Sequence, residues 1–368
     1  MNQEKKMPRV AVVYLSYHSD PYLEDMVKAM QSCTYPKERL ALVIVDNPHP
    51  EFGLSTKKIN EVVVPLAGGS LPEVIVLPEQ KNLGFTGGNN VGIKWALEHS
   101  FDYIFLHNQD GYLDHDCILK LVEAMEADKT IGCSQALIML DGTDKVNTAG
   151  NSFNYLGFAF INHFGKKLSE LNLKPVEEVG YASGAGLMMR ADLVKKFGGL
   201  DEDLFAYHED VEYSLRLKFV GFKAVVVRDA LFHHKYVFSR SKTKFYFMER
   251  NRYAVLFMYY RLATLILLIP ALLFMELGLL VFFILNGWGN EKLEIYKYWL
   301  KASNWKLWLS KRQKIQRLRT VTDRYLIHKA ASRVKFGAKE DMNHPLLVYI
   351  ANPLMLVYKA IVQVLIFW

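Results

Sequence analysis

Cysteine is scarce in this sequence, with Cys33, Cys117 and Cys133 the three among 368 residues. Their number and spacing exclude a disulfide framework and a cysteine zinc site, and they indicate a reducing compartment. Internal repeats and low-complexity tracts are also absent, which excludes fibrous and repeat architectures. The hydrophobic fraction is 51%, so the chain is too apolar to be mainly disordered. The composition predicts two domains, or one domain with a sizeable annex.

A secretory signal is lacking as well. The first nine residues are polar and lead directly into an apolar strand of about seven residues. A signal peptide would place a longer apolar core between its charged start and its cleavage site. We therefore expect a protein that is not secreted.

Residues 1–252 have the pattern of an α/β domain. Short β-rich apolar runs lie at residues 10–17, 40–46, 73–77 and 101–107. Helical patterns alternate with them at residues 22–31, 90–98 and 118–127. Ser19 or Asp20 is the expected N-cap of the first helix, with Pro21 in its first turn. The alternation predicts a mostly parallel sheet flanked by helices on both faces.

The C-terminal part has a different composition. Within residues 253–285, the stretch 262–285 contains one charged residue, Glu276, and has Pro270 near its middle. A stretch of this length can cross a bilayer. Residues 286–345 carry fourteen Lys and Arg, and residues 346–368 form a second apolar stretch.

The basic segment constrains the topology of this annex. Basic segments stay cytoplasmic, so a single crossing would separate residues 286–345 from a cytoplasmic first domain. We therefore expect residues 253–285 to form a hairpin broken at Pro270, or transmembrane or interfacial helices. A basic cytoplasmic helical segment and a membrane-associated helix at residues 346–368 would follow. A buried helical subdomain of a soluble protein is the alternative.

Polar residues follow the first two predicted strands, at the edge where such sheets bind ligands. The first strand ends at Ser16 and lacks the Gly-x-Gly-x-x-Gly fingerprint of a dinucleotide-binding dehydrogenase, which argues against that class. The second strand ends in Asp46 and Asn47, and an acidic side chain there can accept hydrogen bonds from a nucleobase or ribose. A turn-forming Asp-Asn pair before Pro48 is the structural alternative.

Residues 82–92 form a glycine- and asparagine-rich segment that we predict to be a loop opening a helix. Backbone N–H groups in such a loop can bind an anion, because glycine permits close approach and the helix dipole favours negative charge. A diphosphate is a natural occupant. A simple helix-capping loop is the alternative.

Oxygen and nitrogen ligands for a cation lie at two further strand ends. Asn108 and Asp110 follow the strand at 101–107, and they suit Mg2+ or Mn2+ that also binds substrate phosphates. His233 and His234 directly follow a strand predicted at 223–232, and one of the two could be a further ligand of the cation. An Asx turn and a structural histidine are the alternatives.

Three carboxylates occur within residues 209–212, at the start of a predicted helix. Asp210 could take a proton from a hydroxyl nucleophile if it faces the sheet edge, and Glu209 is its immediate neighbour. Acidic residues in a first helical turn also favour the helix dipole without any catalytic role.

Taken together, these motifs resemble the family 2 glycosyltransferases of GT-A fold, especially their rhamnosyltransferase-like and galactofuranosyltransferase-like branches. The order of the motifs carries the resemblance over the first ~250 residues. The matching segments are 10–16, 45–47, 82–92, 108–110, 183–186, 198–202, 209–212 and the histidine pair at 233–234. The sequence departs from the family pattern at Asn108, which replaces the first carboxylate of an Asp-x-Asp metal motif, and at residues 48–51.

The resemblance implies an inverting transfer from a nucleoside-diphosphate sugar. The nucleotide-binding residues it implies are Ser16, Asp46, Asn82, Gly84, Asn89, Asn90 and Asn108. Asp110 and His234 would hold Mg2+ or Mn2+, with His233 the alternative to His234. Asp210 would be the catalytic base beside Glu209. Gly184, Arg250 and Arg252 are the expected acceptor-binding residues, together with residues 239–242, whose charges could also form the basic collar of a membrane-docked protein.

We therefore expect a membrane-associated enzyme on the cytoplasmic face of the cell membrane. It would move a sugar from dTDP-rhamnose or a UDP-sugar to a lipid-linked glycan acceptor in surface polysaccharide synthesis. A non-catalytic nucleotide- or glycan-binding membrane scaffold is the alternative. Nucleic acid is not an expected partner, because the formal net charge of +7 comes from residues 286–345, which contain no reading motif. The sequence leaves the oligomeric state open.

Overall fold

A mixed β-sheet forms the centre of the fold. The computed structural model describes residues 7–235, 241–335 and 345–368. The strands are β1 Val10–Ser16, β2 Leu40–Asp46, β3 Glu73–Pro78, β4 Tyr103–Asn108, β5 Gly111–Leu113, β6 Ile131–Leu140, β7 Val146–Thr148, β8 Asn151–Phe153, β9 Ala159–Ile161, β10 Val176–Glu178, β11 Gly186–Arg190 and β12 Lys223–His234.

Helices flank the sheet and build the C-terminal part. The helices are α1 Leu23–Ser32, α2 Thr56–Val62, α3 Gly84–Glu98, α4 Cys117–Ala127, α5 Ala191–Phe197, α6 Glu209–Phe219, α7 Lys242–Tyr259, α8 Leu262–Leu285, α9 Gly289–Leu300, α10 Ala302–Arg317, α11 Asp323–Lys329 and α12 Asn352–Leu365. A π-helical turn, Leu347–Ala351, leads into α12.

The main path of the sheet has the order β10-β12-β6-β11-β4-β1-β2-β3. Strands β1, β2, β3 and β4 are parallel neighbours, as expected, and β6 and β12 are parallel to each other. The sheet is mixed because β11 runs antiparallel to both β4 and β6. All five residues of β11 are buried. An apolar run of this kind does not reveal strand direction, which is why the sequence did not predict the reversal.

Alternate side chains of the strands pack on opposite faces of the sheet. In β1, Val10, Val12 and Tyr14 join a core with α1, α2 and α4. The intervening residues Ala11, Val13 and Leu15 join a second core with α3, α5 and α6. This period-2 burial confirms the predicted α/β architecture with helices on both faces.

Residues 82–92 do not form the loop that the sequence predicted. Helix α3 begins at Gly84, so most of this segment is helical. A Cβ at Gly88 would come within 2.5 Å of the Leu15 side chain, and one at Gly92 within 2.4 Å of Val13. These two glycines therefore allow the helix to approach β1 closely, and they do not cradle a phosphate.

The predicted N-cap of α1 and the predicted break at Pro270 are both wrong. Tyr22, not Ser19 or Asp20, is the N-cap of α1, because the backbone between Ser19 and Tyr22 forms a turn of its own. Helix α8 continues through Pro270. Its buried side chains at positions 264, 268, 271, 275, 279 and 283 form an uninterrupted stripe, so packing on one face holds the helix together across the missing N–H of the proline.

The compositional boundary at Arg252 also falls inside an element. Helix α7 spans residues 242–259 without interruption. Helices α7, α8, α10, α11 and α12 share one apolar core, and Leu204 and Val211 of the first domain belong to it. Helix α8 and the segment Leu347–Leu365 are each long and apolar enough to cross a membrane.

We predict that Gly92→Ala destabilises the protein by about 1–3 kcal/mol, because the added methyl group overpacks the contact with Val13. The matched control is Gly278→Ala in α8, where a Cβ meets nothing within 4 Å. That change should be neutral or stabilising by up to ~1 kcal/mol, since alanine is the better helix former. Urea unfolding followed by circular dichroism measures both. Equal stability of the two variants would contradict the close-packing role of Gly92.

Candidate active site

The carboxyl ends of several strands meet at one edge of the sheet. The register places Ser16 beside Asp46 and Leu15 beside Asn108. Strand β11 is antiparallel to both β4 and β6, and β12 is parallel to β6. Strand β12 therefore runs in the same direction as β4, and His234 at its end lies at this same edge. The topology therefore gathers predicted site residues that are more than 200 positions apart.

Asp46 is completely buried at this edge, and both of its carboxylate oxygens accept hydrogen bonds. Ser16 Oγ donates to Asp46 Oδ1 at a distance of 2.7 Å, and Thr56 Oγ1 donates to Asp46 Oδ2 at 2.6 Å. Ser19 Oγ lies 2.8 Å from Ser16 Oγ and extends the network. Asp46 thus fixes the ends of β1 and β2. Contact of Asp46 or Ser16 with a nucleotide stays a prediction. Thr56 was missed, because it lies in an unremarkable helix start.

The start of α3 is tied to the same edge through two amides. Asn47 Nδ2 donates to Asn82 Oδ1 over 2.9 Å, and that oxygen also accepts the N–H of Gly84 at 2.8 Å. Asn89 donates back to the carbonyl of Phe85 within the helix. Asn90 donates to the carbonyl of Leu200 at 2.8 Å. Asn82 and Gly84 therefore lie at the sheet edge, whereas Asn89 and Asn90 are occupied by internal contacts.

Asp110, Asn108 and His234 form a contact group that joins β4 to β12. His234 Nε2 lies 2.9 Å from Asp110 Oδ1, and Asn108 Nδ2 donates to that oxygen over 2.5 Å. His233 faces the other side of the strand and stacks on Tyr112 with ring centroids 5.1 Å apart. Of the two adjacent histidines, the structure thus brings His234 to Asp110.

The donor set at Asp110 and His234 fits a divalent cation. A partly exposed carboxylate and an imidazole offer one oxygen and one nitrogen ligand to the same point. Within the described ranges no group of three or more His, Cys, Asp or Glu side chains is arranged so that it could hold a metal ion. A cation here would complete its coordination with water or with oxygens of a bound ligand.

Asp210 lies in the first turn of α6 and is held by two backbone groups. Its Oδ1 accepts the N–H of Val211 at 2.8 Å, and its Oδ2 accepts the N–H of Gly184 at 3.2 Å. Burial raises the pKa of Asp210 to about 6, and the backbone hydrogen bonds oppose this rise. Burial, with the neighbouring Asp210 charge, also raises the pKa of Glu209 well above its ordinary value. Asp210 is therefore a carboxylate of unusually high basicity.

The loop before α6 holds a strained backbone. Phe205, Tyr207 and His208 have φ angles of 65°, 64° and 67°, a left-handed conformation that is unfavourable for bulky residues. The fully buried Asn251 shares its two amide hydrogens among the carbonyls of residues 204, 206 and 207, which lie 2.9, 2.9 and 2.6 Å from Nδ2. Helix α7 therefore fixes the backbone that leads into Asp210. Sequence reasoning missed Asn251, because it stands between two arginines in a run whose charge is its most visible feature.

Arg250 and Arg252 have intramolecular partners. Arg250 Nη2 donates to the carbonyls of residues 203 and 204 at 2.9 and 2.8 Å. Arg252, which is 2% exposed, pairs with Glu249 over 2.5 Å. These contacts give both guanidinium groups a structural role, and acceptor binding by them stays a prediction. Of the expected acceptor segment 239–242, Ser239 and Arg240 lie outside the described residues.

A cavity of about 340 Å3 is lined by some of these groups. Asp210, Glu209 and His234 line one part of it, and Lys244 and Arg252 of α7 line another. The far wall is apolar and comes from α8, with Leu279, Phe282 and Phe283. The sheet edge and the C-terminal helices thus enclose a single space that contains both a basic carboxylate and a candidate cation site.

Comparisons with known proteins agree with this arrangement. A family model described as glycosyltransferase like family 2 matches residues 8–255. A low-salt glycan biosynthesis hexosyltransferase, Agl10 of Haloferax volcanii, is 26% identical over 141 residues, 37% of this chain and 44% of that protein. An N-acetylglucosaminyl-diphospho-decaprenol L-rhamnosyltransferase of Mycobacterium tuberculosis is 27% identical over 243 residues, 61% of this chain and 75% of that protein.

A solved structure shares the fold. The crystal structure of GalNAc-T7 with UDP, GalNAc and Mn2+ superposes with a TM-score of 0.55 at 16% identity, and covers 70% of this chain and 49% of that one. The chain thus spans less than half the length of Agl10 and about half the length of GalNAc-T7.

We predict that Asn251→Leu, which keeps the branched shape but has no donor, destabilises the protein by about 1–3 kcal/mol, because it removes the hydrogen bonds to the part-buried carbonyls of residues 206 and 207. Amide hydrogen exchange at residues 203–208 should rise more than exchange in β1. The control is Asn304→Leu, which removes a single half-buried hydrogen bond to Tyr298. Unchanged protection of residues 203–208 in the Asn251 variant would show that the clamp does not hold this loop.

Proposed function

The chain belongs to the glycosyltransferase like family 2, and from that premise we propose an inverting, metal-dependent glycosyltransferase. It moves a sugar from a nucleoside-diphosphate sugar to a hydroxyl group of a lipid-linked glycan at the cytoplasmic face of the membrane. The observation that carries this proposal is that Asp210, with a pKa raised to about 6, lines the same cavity as His234 of the Asp110–His234 pair.

The chemistry follows from these positions. A sugar hydroxyl is a weak nucleophile, and Asp210 accepts its proton as the hydroxyl oxygen attacks the anomeric carbon. The new carbon–oxygen bond forms opposite the leaving diphosphate, which takes the electron pair of the bond that breaks, so the configuration inverts. The amide N–H of Gly184 orients the carboxylate through its hydrogen bond to Oδ2.

The leaving diphosphate needs charge neutralisation, which Mg2+ or Mn2+ supplies when bound. Asp110 and His234 would hold the cation, with Asn108 fixing the Asp110 carboxylate by its hydrogen bond. Asn82 and the start of α3 lie at the same edge, where the helix dipole favours an anion. The GalNAc-T7 structure, which shares the fold and was solved with UDP and Mn2+, supports the proposal that a nucleotide and a divalent cation bind together.

The part of the cavity that α7 and α8 form supports the proposal that the acceptor is lipid-linked. Its far wall is apolar and belongs to α8, the longer of the two helices that could enter a membrane. Lys244 lies at the cavity with its ammonium 5.7 Å from the Tyr207 ring centroid, and burial lowers its pKa. A cation beside an apolar wall suits the phosphate and the chain of a lipid carrier. The acceptor named for the mycobacterial relative, a sugar diphospho-decaprenol, has this chemistry.

The donor is proposed to be dTDP-rhamnose or a UDP-sugar, with polysaccharide synthesis at the cell envelope as the role. The names of the rhamnosyltransferase and hexosyltransferase relatives support a rhamnosyl or hexosyl donor. Discrimination between them depends on the shape of the pocket around the sugar.

We predict that sugar transfer rises with pH through about 6 and levels off above it, since Asp210 must be deprotonated to accept a proton. Asp210→Asn should lower kcat about 10²- to 10⁴-fold and leave nucleotide binding intact. The control is Asp192→Asn, whose side chain is 77% exposed on α5. A product assay over pH 5–8 measures the profile. Full activity of the Asp210→Asn enzyme would contradict the assignment of Asp210 as the base, whereas a folded wild-type protein without any transfer activity would favour the non-catalytic scaffold.

We also predict that nucleoside diphosphates raise the melting temperature of the wild-type protein only with Mg2+ or Mn2+, because a ligand of the folded state stabilises it. Asp110→Ala and His234→Ala should each remove the metal-dependent part of the shift. His233→Ala is the matched control, since its ring faces Tyr112 on the other side of the strand. Thermal shift with UDP, dTDP and GDP measures these effects. Equal loss in the His233 and His234 variants would refute the proposed metal position.

A further inference from the structure

Helix α8 has two distinct faces along its whole length. The inward face consists of the buried residues at positions 264, 268, 271, 275, 279 and 283. The outward face is apolar and exposed, with Ile266, Leu273, Leu277 and Ile284 each 60–66% exposed. The helix is therefore amphipathic in environment although its composition is apolar on every side.

The inward face is attached to the protein body at both ends and in the middle. Near the start of α8, Thr264 Oγ1 donates to Asp323 of α11. In its second half, Glu276 accepts from Tyr253 and Tyr296 and pairs with Lys292 Nζ over 2.7 Å. Towards its end, Leu279 and Phe283 form the wall of the cavity that contains Asp210.

This attachment argues against a crossing of the bilayer. A helix of 24 residues is about 36 Å long, and in a crossing orientation Glu276 would lie near the bilayer centre. Lys292 and Tyr296 of α9 would lie at the same depth, next to the exposed side chains of Glu294 and Lys297. Charged side chains at that depth are strongly unfavourable. The catalytic cavity itself would also enter the hydrocarbon.

A second apolar stripe lies next to the first. Helix α12 packs on α8 through Tyr358, whose hydroxyl donates to the carbonyl of Leu267. Its exposed side chains include Leu354, Val357, Ile361 and Val364, at helical spacing. The two outward stripes thus belong to neighbouring helices, and together they make up the apolar surface of this part of the protein.

Basic residues border one end of this surface. The exposed Arg261 precedes α8, and its N–H donates to Asp323 over 2.8 Å. The exposed Arg324 donates its N–H to the carbonyl of Trp368 over 3.2 Å, beside the end of α12. Further exposed basic residues, Lys301, Lys306, Lys314 and Arg317, lie between the end of α9 and the end of α10. This charge complements an anionic lipid surface and would repel a second copy of the chain.

We infer that α8 and α12 dock the protein flat on an anionic lipid surface with their outward stripes and do not cross the bilayer. The inference rests on the proposed function and names the membrane contact that brings the cavity to a lipid-linked acceptor. The same helix then meets lipid with one face and forms the cavity wall with the other.

Depth measurement tests the flat orientation. Single cysteines are introduced as Ile266→Cys, Leu273→Cys and Ile284→Cys and labelled with an environment-sensitive fluorophore; the native cysteines are buried. Vesicles of phosphatidylglycerol and phosphatidylcholine carry quenchers at shallow or deep positions. A flat helix gives the same shallow depth at all three sites. A crossing helix gives the deepest position at 273, and that result would overturn the inference.

Vesicle flotation tests the occupant of the surface. Leu273→Asp combined with Leu277→Asp should weaken binding to these vesicles at least tenfold. Val64→Asp, which charges an exposed apolar residue of the first domain, should not change it. Wild-type binding to phosphatidylcholine alone should be weaker, because the basic border contributes. Equal binding by the double variant, or a dimer that persists on vesicles and is lost in that variant, would overturn the lipid assignment.

The two proposals fail separately. Transfer to a soluble acceptor and the metal-dependent nucleotide shift should be unchanged in the Leu273/Leu277 double variant. Wild-type transfer without vesicle binding would remove the docking inference alone. Flat vesicle binding without any transfer or nucleotide shift would remove the proposed function and leave the docking geometry standing.

Discussion

The amide of Asn251 is the contact on which the arrangement of the site depends. Its donors reach three carbonyl oxygens in the loop that precedes α6, and that loop holds three left-handed residues. Such a backbone persists only where the surroundings determine it. Because Asn251 belongs to α7, the C-terminal helices hold the segment that aims Asp210 into the cavity. The change of composition near Arg252 therefore does not mark the limit of the site.

The buried charges of the C-terminal part also fix its helices relative to one another. Arg252, Glu249, Glu276 and Lys292 form a connected network in which the guanidinium of Arg252 lies 2.5 Å from Glu249. Burying one such charge without a partner is costly, whereas a paired and hydrogen-bonded group is tolerated. The network joins α7, α8 and α9 and fixes which face of α8 points inward. In the sequence Arg252 and Lys292 resemble parts of a basic collar, since charge counts do not show which charges are paired inside.

Local sequence patterns predicted much of the fold and part of the site. The apolar run at residues 40–46 is strand β2 to the residue, because it is a short buried strand bounded by turn residues. The pairing of Asp110 with His234 is what the family resemblance implies, and the structure brings the two side chains together. The direction of β11, the continuity of α8 through Pro270 and the contacts of Gly88 with Leu15 depend on tertiary packing, which leaves no periodic signal. Asn251 had no signal at all, since an amide that binds distant carbonyls looks like any other polar residue.

The cavity divides into halves with different origins. The first domain contributes Glu209, Asp210 and His234 to one half, and those positions belong to motifs that the sequence identified. Helices α7 and α8 build the other half with Lys244, Leu279 and Phe283, which belong to no motif. A motif reports chemistry shared by a family, whereas the choice of acceptor depends on the shape and polarity of the surface that it contacts. Acceptor specificity is accordingly a property of the helices that the sequence marked only by their hydropathy.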